Sequence, residues 1–323
     1  MVHSKHAYLI MTHADEYLLE VLISMLDDKR NDIYIHADSK WADFVREKFS
    51  TQHAGLYILS HRLDGRWGDI SLMHIEYELY RTAYARGGYD YYHLLSGSDL
   101  PIKSQDYIHS FFANQKGKPF ISYWNYGGSA ADTYYKVSRY AFGMRLETSP
   151  LLRNRYLNIA VAKIRRVVSS ILFKLLGERE DSKNFFKGAN WSSLPEECVE
   201  LLLAREKQMI KRLRWTRNGE EVFAQTILWQ DYFAPKSIPM SDCWDDLRFV
   251  NWQDTPHSPD IFRMKDFSEI QKSRKLFARK FSSTVDRNII DLISCIYTHQ
   301  RPSENDNRVF RRPLLYLFLH FTA

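Results

Sequence analysis

The first 125 residues alternate between short apolar runs, typical of buried strands, and longer segments whose apolar residues repeat at helical spacing. Strands are predicted at 7–13, 32–39 and 55–61, and a fourth strand breaks at Ser96-Gly97. Helices with capped or glycine-terminated ends are predicted between them. Strands that alternate with helices of this length form a mostly parallel sheet with helices on both faces. The pattern therefore predicts an α/β, Rossmann-like fold.

Beyond residue 125 the pattern becomes irregular. Residues 127–145 indicate a loop of a size suited to an acceptor, and residues 163–177 predict a basic amphipathic helix. Residues 308–321 form a short, very apolar stretch.

The chain shows no internal repeat and no low-complexity tract, and nothing in it marks a clean domain boundary. We therefore expect one domain over 1–300, followed by a tail at 301–323. Within that domain, 1–125 is expected to bind the nucleotide, and 126–300 to bind the acceptor and the phosphates.

Composition indicates a folded, water-soluble chain. Of its 323 residues 45% are hydrophobic and 26% are charged, which excludes a disordered or fibrous protein. No run approaches the roughly 20 apolar residues that span a bilayer, and the N-terminus lacks a signal-peptide layout. Cys198, Cys243 and Cys295 are too few and too widely spaced for a disulfide framework or a metal site. The expected location is therefore the cytoplasm.

The formal net charge is +6, and the whole excess of basic residues falls after residue 160. A basic half favours a polyanionic partner, which could be a nucleic acid, an acidic membrane surface or the phosphates of a small ligand. A nucleic-acid-binding module is disfavoured because no recognition motif is present and the first 160 residues are neutral. The aromatic content of 15% suits a sugar platform as well as a thick core.

Three polar segments follow predicted strands: Thr12-His13, Asp38-Ser39 and the run 96–99. In open α/β sheets ligands bind beyond the carboxyl ends of the strands. We therefore expect a nucleotide pocket at this edge.

Eight sequence strings occur in a characteristic order. They are HAYLIMTHADEYLLEVLISML, IYIHADSK, RWGDISLM, YYHLLSGSDLPIKSQDYI, KGANWSSLPEE, EEVFAQTIL, RFVNWQ and LFARKF. Together they resemble the core-2/I-branching enzyme family over roughly residues 7–285. Members of that family are β-1,6-N-acetylglucosaminyltransferases, and the peptide O-xylosyltransferases are their relatives.

The resemblance implies a nucleotide-sugar transferase fold that lacks the Asp-x-Asp metal motif, with Ser96, Gly97, Ser98 and Asp99 at the corresponding place. No divalent metal and no cofactor are then expected. The implied reaction is inverting transfer from a UDP-sugar to a glycan hydroxyl in a β linkage. N-acetylglucosamine is the first candidate for the sugar, and xylose is the alternative.

Without a metal ion, basic side chains must bind the leaving diphosphate. The resemblance assigns this role to Lys280. A second phosphate contact, an arginine in the family, falls near His257, where Arg263 or Arg279 could substitute.

The implied catalytic base is Glu221, preferred over the adjacent Glu220 on register. Without the resemblance, two acidic residues at a helix start would be taken as complements of the helix dipole. An inactive glycan-binding relative is a further alternative, against which the retention of Glu221 and Lys280 argues.

Aromatic and polar residues are assigned to the two sugars. Trp252 matches a family tryptophan that stacks on the acceptor, and Trp191 is expected to border the same cleft. Ser98 and Asp99 are further sugar candidates. Asp254 stands where some members have a tyrosine, which indicates a different acceptor.

The remaining candidates face the nucleotide. They are His13, Asp38, Arg66, Trp67 and Ser71. A carboxylate such as that of Asp38 can accept hydrogen bonds from ribose hydroxyls or from uracil.

The basic helix and the apolar tail suggest further partners. Both 163–177 and 308–321 could lie on an anionic membrane, which would suit a lipid-linked acceptor and a location at the inner face of the membrane. They could equally pack into a homodimer or against the core.

Overall fold

The computed structural model describes residues 5–124, 128–147, 155–239, 245–252 and 258–298. A six-stranded sheet forms the centre of the molecule, and a three-stranded sheet lies at its edge. The strands are β1 His6–Thr12, β2 Asn31–Ala37, β3 Gly55–Ile58, β4 Tyr91–Ser96, β5 Asp99–Pro101, β6 Phe120–Ile121, β7 Ser192–Leu194, β8 Arg248–Val250 and β9 Phe277–Arg279.

Helices connect and cover the strands. They are α1 Glu16–Leu26, α2 Ser71–Arg86, α3 Gln105–Asn114, α4 Gly128–Ser138, α5 Met144–Glu147, α6 Arg155–Leu176, α7 Glu196–Ala204, α8 Glu206–Leu213, α9 Phe223–Leu228, α10 Phe267–Lys272 and α11 Arg287–Tyr297. A 3-10 turn over Gly219–Glu221 leads into α9, and a π-helical turn over Trp229–Phe233 follows it.

The large sheet has the order β3-β2-β1-β4-β7-β6. The pairs β3–β2, β2–β1 and β1–β4 are parallel, whereas β7 runs antiparallel between β4 and β6. In the small sheet β9 pairs antiparallel with β5 and parallel with β8.

Alternate residues of β1 build two cores on opposite faces of the sheet. Ala7 and Leu9 join α2, α7 and α9 in one core, while Tyr8 and Ile10 join α1, α3 and α11 in the other. This division follows from the two-residue period of a strand. The predicted α/β fold with a mostly parallel sheet and helices on both faces is confirmed.

The loop predicted at 127–145 is wrong, because α4 and α5 occupy most of this segment. Asp132 and Lys136, one helical turn apart, form an ion pair on α4 at 3.0 Å. The predicted basic helix is confirmed as α6, although it begins at Arg155 rather than at 163. Residues 301–323 and Cys243 lie outside the described residues. None of the helices in the described ranges is long and apolar enough to cross a bilayer.

Candidate active site

The polar segments predicted at the sheet edge lie side by side. The Asp38 amide donates to the Thr12 carbonyl at 2.7 Å, and the Gly97 amide donates to the Met11 carbonyl at 2.8 Å. A Cβ at position 97 would lie 2.3 Å from Thr12 Oγ1, so glycine is required there. His13 is exposed just beyond β1. The ends of β1, β2 and β4 therefore form one shallow edge, as expected of a ligand site in such a sheet.

Asp38 holds the loop that follows β3. Its carboxylate is buried and accepts from the Lys40 amide at 2.8 Å, from Lys40 Nζ at 2.8 Å and from the Gly65 amide at 3.0 Å. In the same loop Ser71 Oγ accepts from the Arg66 amide at 3.0 Å. Asp38 and Ser71 therefore position the segment 64–71. Direct contact of either side chain with a nucleotide would require these bonds to be exchanged.

Lys280 follows the last residue of β9, close to the His13 end of the edge. The Phe281 amide donates to the Ser98 carbonyl at 2.9 Å, and the Ser283 amide donates to Asp15 Oδ2 at 2.8 Å. Burial and the neighbouring Arg279 lower the pKa of Lys280. Within the described residues its ammonium has no hydrogen-bond or ion-pair partner. A half-buried cation beside a second cation favours binding of an anion.

The side chains of Arg279 and Asp99 are largely buried and lie against each other. Arg279 Nε lies 3.6 Å from Asp99 Oδ1, and its guanidinium stacks 4.3 Å from the Trp191 ring centroid. Asp99 is fully buried and accepts from Ser96 Oγ at 2.6 Å. Asp99, Arg279 and Trp191 thus contact one another in the structure, and their roles toward the phosphates and the sugars stay predictions.

Arg263 is exposed and begins the 3-10 turn before α10. The amide of the preceding residue, Phe262, donates to the Lys280 carbonyl at 2.9 Å. Arg263 is therefore one residue away from a backbone contact with Lys280. Asp254 and His257 lie outside the described residues.

A cavity of about 640 Å³ contains Glu221, Trp67 and Trp252. The two tryptophans are half exposed, at 55% and 50%, and the Glu221 side chain is 24% exposed. The other lining residues used below are Trp124, Asp132, Lys136, Arg165, Arg166, Ser169 and Lys187. An ionisable group surrounded by aromatic faces in a cleft is a typical sugar-processing environment.

Two lysines and an aspartate surround the Glu221 carboxylate. Lys187 Nζ lies 3.3 Å from Glu221 Oε2 and 2.8 Å from Asp132 Oδ2, and Asp132 also binds Lys136. Burial alone would lower the pKa of Lys187. The negative charges of Glu221 and Asp132 have the larger effect, so the pKa is raised. Burial and the charge of Lys187 lower the pKa of Lys136. Lys187 is thus the ammonium that orients Glu221.

Glu220 points away from the cavity into the core. Asn218 Nδ2 donates to Glu220 Oε1 at 3.2 Å, and burial raises the pKa of Glu220 to about 8. Burial also raises the pKa of the nearby Glu76, which accepts from Asn190 Nδ2 at 3.0 Å. Two adjacent glutamates therefore differ in environment: Glu220 is a buried acid, and Glu221 is a cavity carboxylate. This difference supports the choice of Glu221 on register.

Trp252 connects the cavity with the Lys280 end of the edge. Val250 and Arg279 are paired in the parallel strands β8 and β9. Trp252 lies two residues after Val250 and Lys280 one residue after Arg279, so both come just beyond the same end of the small sheet. The Arg66-Trp67 loop makes a second connection, because the Asn218 amide donates to the Gly68 carbonyl at 3.2 Å. Lys280 itself is not among the described residues that line the Glu221 cavity.

Sequence reasoning missed Lys187, Asp132, Lys136 and Trp124. Lys187 opens the quoted string KGANWSS, and its place beside Glu221 comes from the bond between the Gly188 amide and the Glu221 carbonyl at 2.9 Å. The i,i+4 spacing of Asp132 and Lys136 is a helical signal within the segment expected to be a loop. Trp124 follows β6, and its amide donates to the Lys187 carbonyl at 2.7 Å.

Among the residues that the structure describes, no cluster of three or more histidine, cysteine, aspartate or glutamate side chains could bind a metal ion.

The fold is that of an α/β protein with a ligand edge at the carboxyl ends of parallel strands and an aromatic cavity beside it. Residues 6–273 match the sequence profile of the Core-2/I-Branching enzyme family. The chain belongs to this family of glycosyltransferases.

Relatives with known names are distant. The chain is 21% identical over 314 residues to xylosyltransferase 2 of Rattus norvegicus and of Homo sapiens, alignments that cover 89% of this chain and 33% of each relative. It thus spans about a third of the length of these curated relatives. Among solved structures, apo mouse xyloside xylosyltransferase 1 matches 85% of this chain and 97% of that chain, with 9% identity and a TM-score of 0.37.

Proposed function

We propose that the chain is an inverting glycosyltransferase that moves a sugar from a UDP-sugar to a glycan hydroxyl, with Glu221 as the general base. The observation that carries this proposal is the position of Glu221: its carboxylate lies in a tryptophan-lined cavity next to the carboxyl edge of a parallel sheet. Membership of a glycosyltransferase family supports the reaction class.

In the proposed reaction the acceptor sugar stacks on Trp252, and its hydroxyl reaches Glu221. The carboxylate takes the hydroxyl proton while the hydroxyl oxygen bonds to the anomeric carbon, and the bond from that carbon to the UDP oxygen breaks. A single displacement inverts the anomeric centre, so an α-linked donor gives a β linkage. Lys187, at 3.3 Å, orients the carboxylate throughout. A positioned base of this kind contributes about 10²- to 10⁴-fold in rate.

The departing UDP carries negative charge that must be stabilised. Lys280 is the candidate, since its ammonium is half buried, lies beside Arg279 and is held next to Ser98 through the bond from Phe281. A preorganised cation acts most strongly where charge develops in the transition state. Arg263 is the candidate for a second contact. This proposal needs no divalent ion, so transfer in excess EDTA should equal transfer with added Mn²⁺.

N-acetylglucosamine is our first candidate for the transferred sugar, because the chain belongs to the branching-enzyme family. Xylose is the second, and the names of the curated relatives favour it. Release of UDP from UDP-N-acetylglucosamine and UDP-xylose, measured side by side with a panel of glycan acceptors, separates the two. A protein that binds glycans but releases no UDP from either donor would be an inactive relative.

The decisive variant is Glu221→Gln, which removes the base and keeps the shape of the side chain. We expect transfer to fall by about 10²- to 10⁴-fold while UDP affinity, measured by calorimetry, stays within about twofold. The matched control is Glu220→Gln. Because the pKa of Glu220 is about 8, its carboxyl is mostly protonated at neutral pH and a neutral amide replaces it closely. That variant should keep transfer within about threefold.

Equal losses in the two variants would mean that the 219–221 turn, and not the Glu221 carboxylate, matters for transfer. Full activity of Glu221→Gln would remove Glu221 as the base.

A further inference from the structure

Helix α6 carries an apolar stripe on its exposed side. The stripe comprises Ile164, Val167, Val168, Ile171 and Leu175, which are between 40% and 75% exposed. Their spacing of three and four residues places them on one face of the helix. A contiguous exposed apolar face of this kind marks an interaction surface.

The charges of α6 restrict what can cover the stripe. The helix from Arg155 to Leu176 contains five basic residues and no acidic residue. Lys163 and Lys174 are exposed and lie together along one flank of the stripe, since they are eleven residues, or about three turns, apart. The nearest acidic residue along the chain is Glu178, which accepts a hydrogen bond from the Tyr134 hydroxyl at 2.8 Å. The surface is therefore apolar at its centre and positive along its flank.

We propose that α6 lies flat on an anionic lipid bilayer, with the stripe inserted between the headgroups and the two flanking lysines on acidic phosphates. An amphipathic helix with a basic flank binds membrane interfaces through buried apolar area and attraction to anionic lipid. A second copy of α6 fits less well, because it would offer no carboxylate to Lys163 or Lys174.

The position of α6 gives this surface a consequence for the cavity. Arg165, Arg166 and Ser169 of the same helix line the cavity that contains Glu221. A helix that lies on lipid with its outer face would therefore hold the mouth of the cavity close to the headgroups. This consequence alone rests on the proposed function, and it makes a lipid-linked glycan the acceptor class that fits. Docking itself is measured without any transfer reaction.

The test is flotation of the full chain with phosphatidylcholine vesicles, with and without one third phosphatidylglycerol. We expect binding only to the anionic vesicles, and weaker binding when salt rises from about 0.1 M to about 0.5 M. Lys163→Ala/Lys174→Ala should lower the partition coefficient roughly 25-fold, at about fivefold for each lysine. Ile164→Ser/Ile171→Ser should lower it roughly tenfold or more.

Matched controls remove similar side chains from other exposed positions. Lys116→Ala/Lys272→Ala removes two surface lysines, and Val45→Ser/Ile296→Ser removes two exposed apolar side chains. Both should float like the unchanged chain. All the substituted positions are exposed, and circular dichroism verifies that each variant is folded.

Three outcomes would overturn the proposal. The chain could fail to float with anionic vesicles, or the α6 variants could float as well as the controls, which would assign binding to another segment. Alternatively, sedimentation velocity could show a dimer that the α6 variants convert to monomer without any lipid binding, which would assign the stripe to a second copy.

Discussion

Gly188 shows how one residue sets the distance between two parts of the site. Its amide holds the Glu221 carbonyl at 2.9 Å, and a Cβ built at this position would lie 1.8 Å from the Ser122 carbonyl oxygen. Real Cβ atoms do not approach backbone that closely, so any side chain would push Lys187 and the 188–189 segment away from Ser122. The ion pair between Lys187 and Glu221 depends on this close approach.

We therefore predict that Gly188→Ala destabilises the fold by about 2–3 kcal/mol and lowers transfer, because overpacking shifts backbone as well as side chains. Urea unfolding and a UDP-release assay measure the two effects. The control Ala189→Gly keeps the close approach and removes only a methyl group, so it should cost less. Unchanged stability and transfer in Gly188→Ala would show that the 187–189 segment can move without consequence.

At the scale of elements, the small sheet joins segments that are far apart in sequence. Strand β9 carries Lys280 at its end, β5 brings Ser98 beside it, and β8 leads to Trp252. These strands are three residues each, so their place is fixed by pairing and not by their own propensity. The sheet therefore explains how Lys280, from late in the chain, reaches the edge formed by the ends of β1 and β4.

The prediction for this element concerns Lys280→Ala. Loss of a charge-assisted contact to phosphate should weaken UDP by about 10- to 100-fold and leave uridine within about twofold, since uridine has no phosphate. Isothermal calorimetry with both ligands measures the difference. Lys272→Ala, on α10, removes an exposed lysine near the same sheet and should change neither affinity. Equal weakening of UDP and uridine would show that Lys280 supports the fold of the pocket and does not bind phosphate.

Local sequence signals predicted some elements and missed others for physical reasons. The parallel strands β1, β2 and β4 and the helices α1 to α3 have strong apolar periodicity, so they could be predicted. Helix α4 could not, because a polar segment that contains Gly-Gly looks like a loop until Asp132 meets Lys187, 55 residues away. Strands β6 and β7 are only two and three residues long, yet the segments KPFISYW and GANWSS already predict a strand at each place.

Some residues of the candidate site could be predicted from the sequence, and others could not. The register of the family strings placed Glu221, Trp252 and Lys280 at the edge and the cavity, because each lies in a string with fixed neighbours. The surroundings of Glu221 depended on contacts between distant segments, so Lys187 and Asp132 were found only in three dimensions. Asp99 and Arg279 were candidates for ligand contact from sequence, whereas the contact between their side chains became visible only in the structure.

For the whole molecule, two groups of buried titratable side chains lie in different parts of the sheet. Near the amino ends of the strands, His93 Nδ1 is 2.9 Å from Ser193 Oγ and its Nε2 is 3.1 Å from His6 Nδ1, while His6 stacks on His109 at 4.0 Å. Burial lowers the pKa of His6 and His93 well below the ordinary value and that of His109 to about 4. Burial likewise lowers the pKa of His36 to about 4.

Glu76 and Glu220 act in the opposite direction on the dependence of stability on pH. Below pH 6.5 the unfolded chain binds protons that the buried histidines reject, so the histidines make stability fall as pH decreases. Above pH 4.5 the unfolded chain releases protons that the buried glutamates retain, so the glutamates make stability fall as pH rises, up to about pH 8 for Glu220. Each titrating group changes the free energy of unfolding by about 1.4 kcal/mol per pH unit.

Between pH 4.5 and 6.5 the effect of the four histidines on the free energy of unfolding exceeds that of the two glutamates. Of these six groups, the two glutamates dominate the pH dependence between pH 6.5 and 8. We therefore predict that, at constant ionic strength, the urea midpoint is highest near pH 6.5 and declines on both sides. His109→Gln should flatten the acid side, because an amide does not take up the proton that the unfolded chain gains there. Glu220→Gln should flatten the alkaline side and leave the acid side with a steeper net slope. A midpoint that rises steadily from pH 6.5 to pH 8 would show that the buried glutamates are ionised in the folded chain.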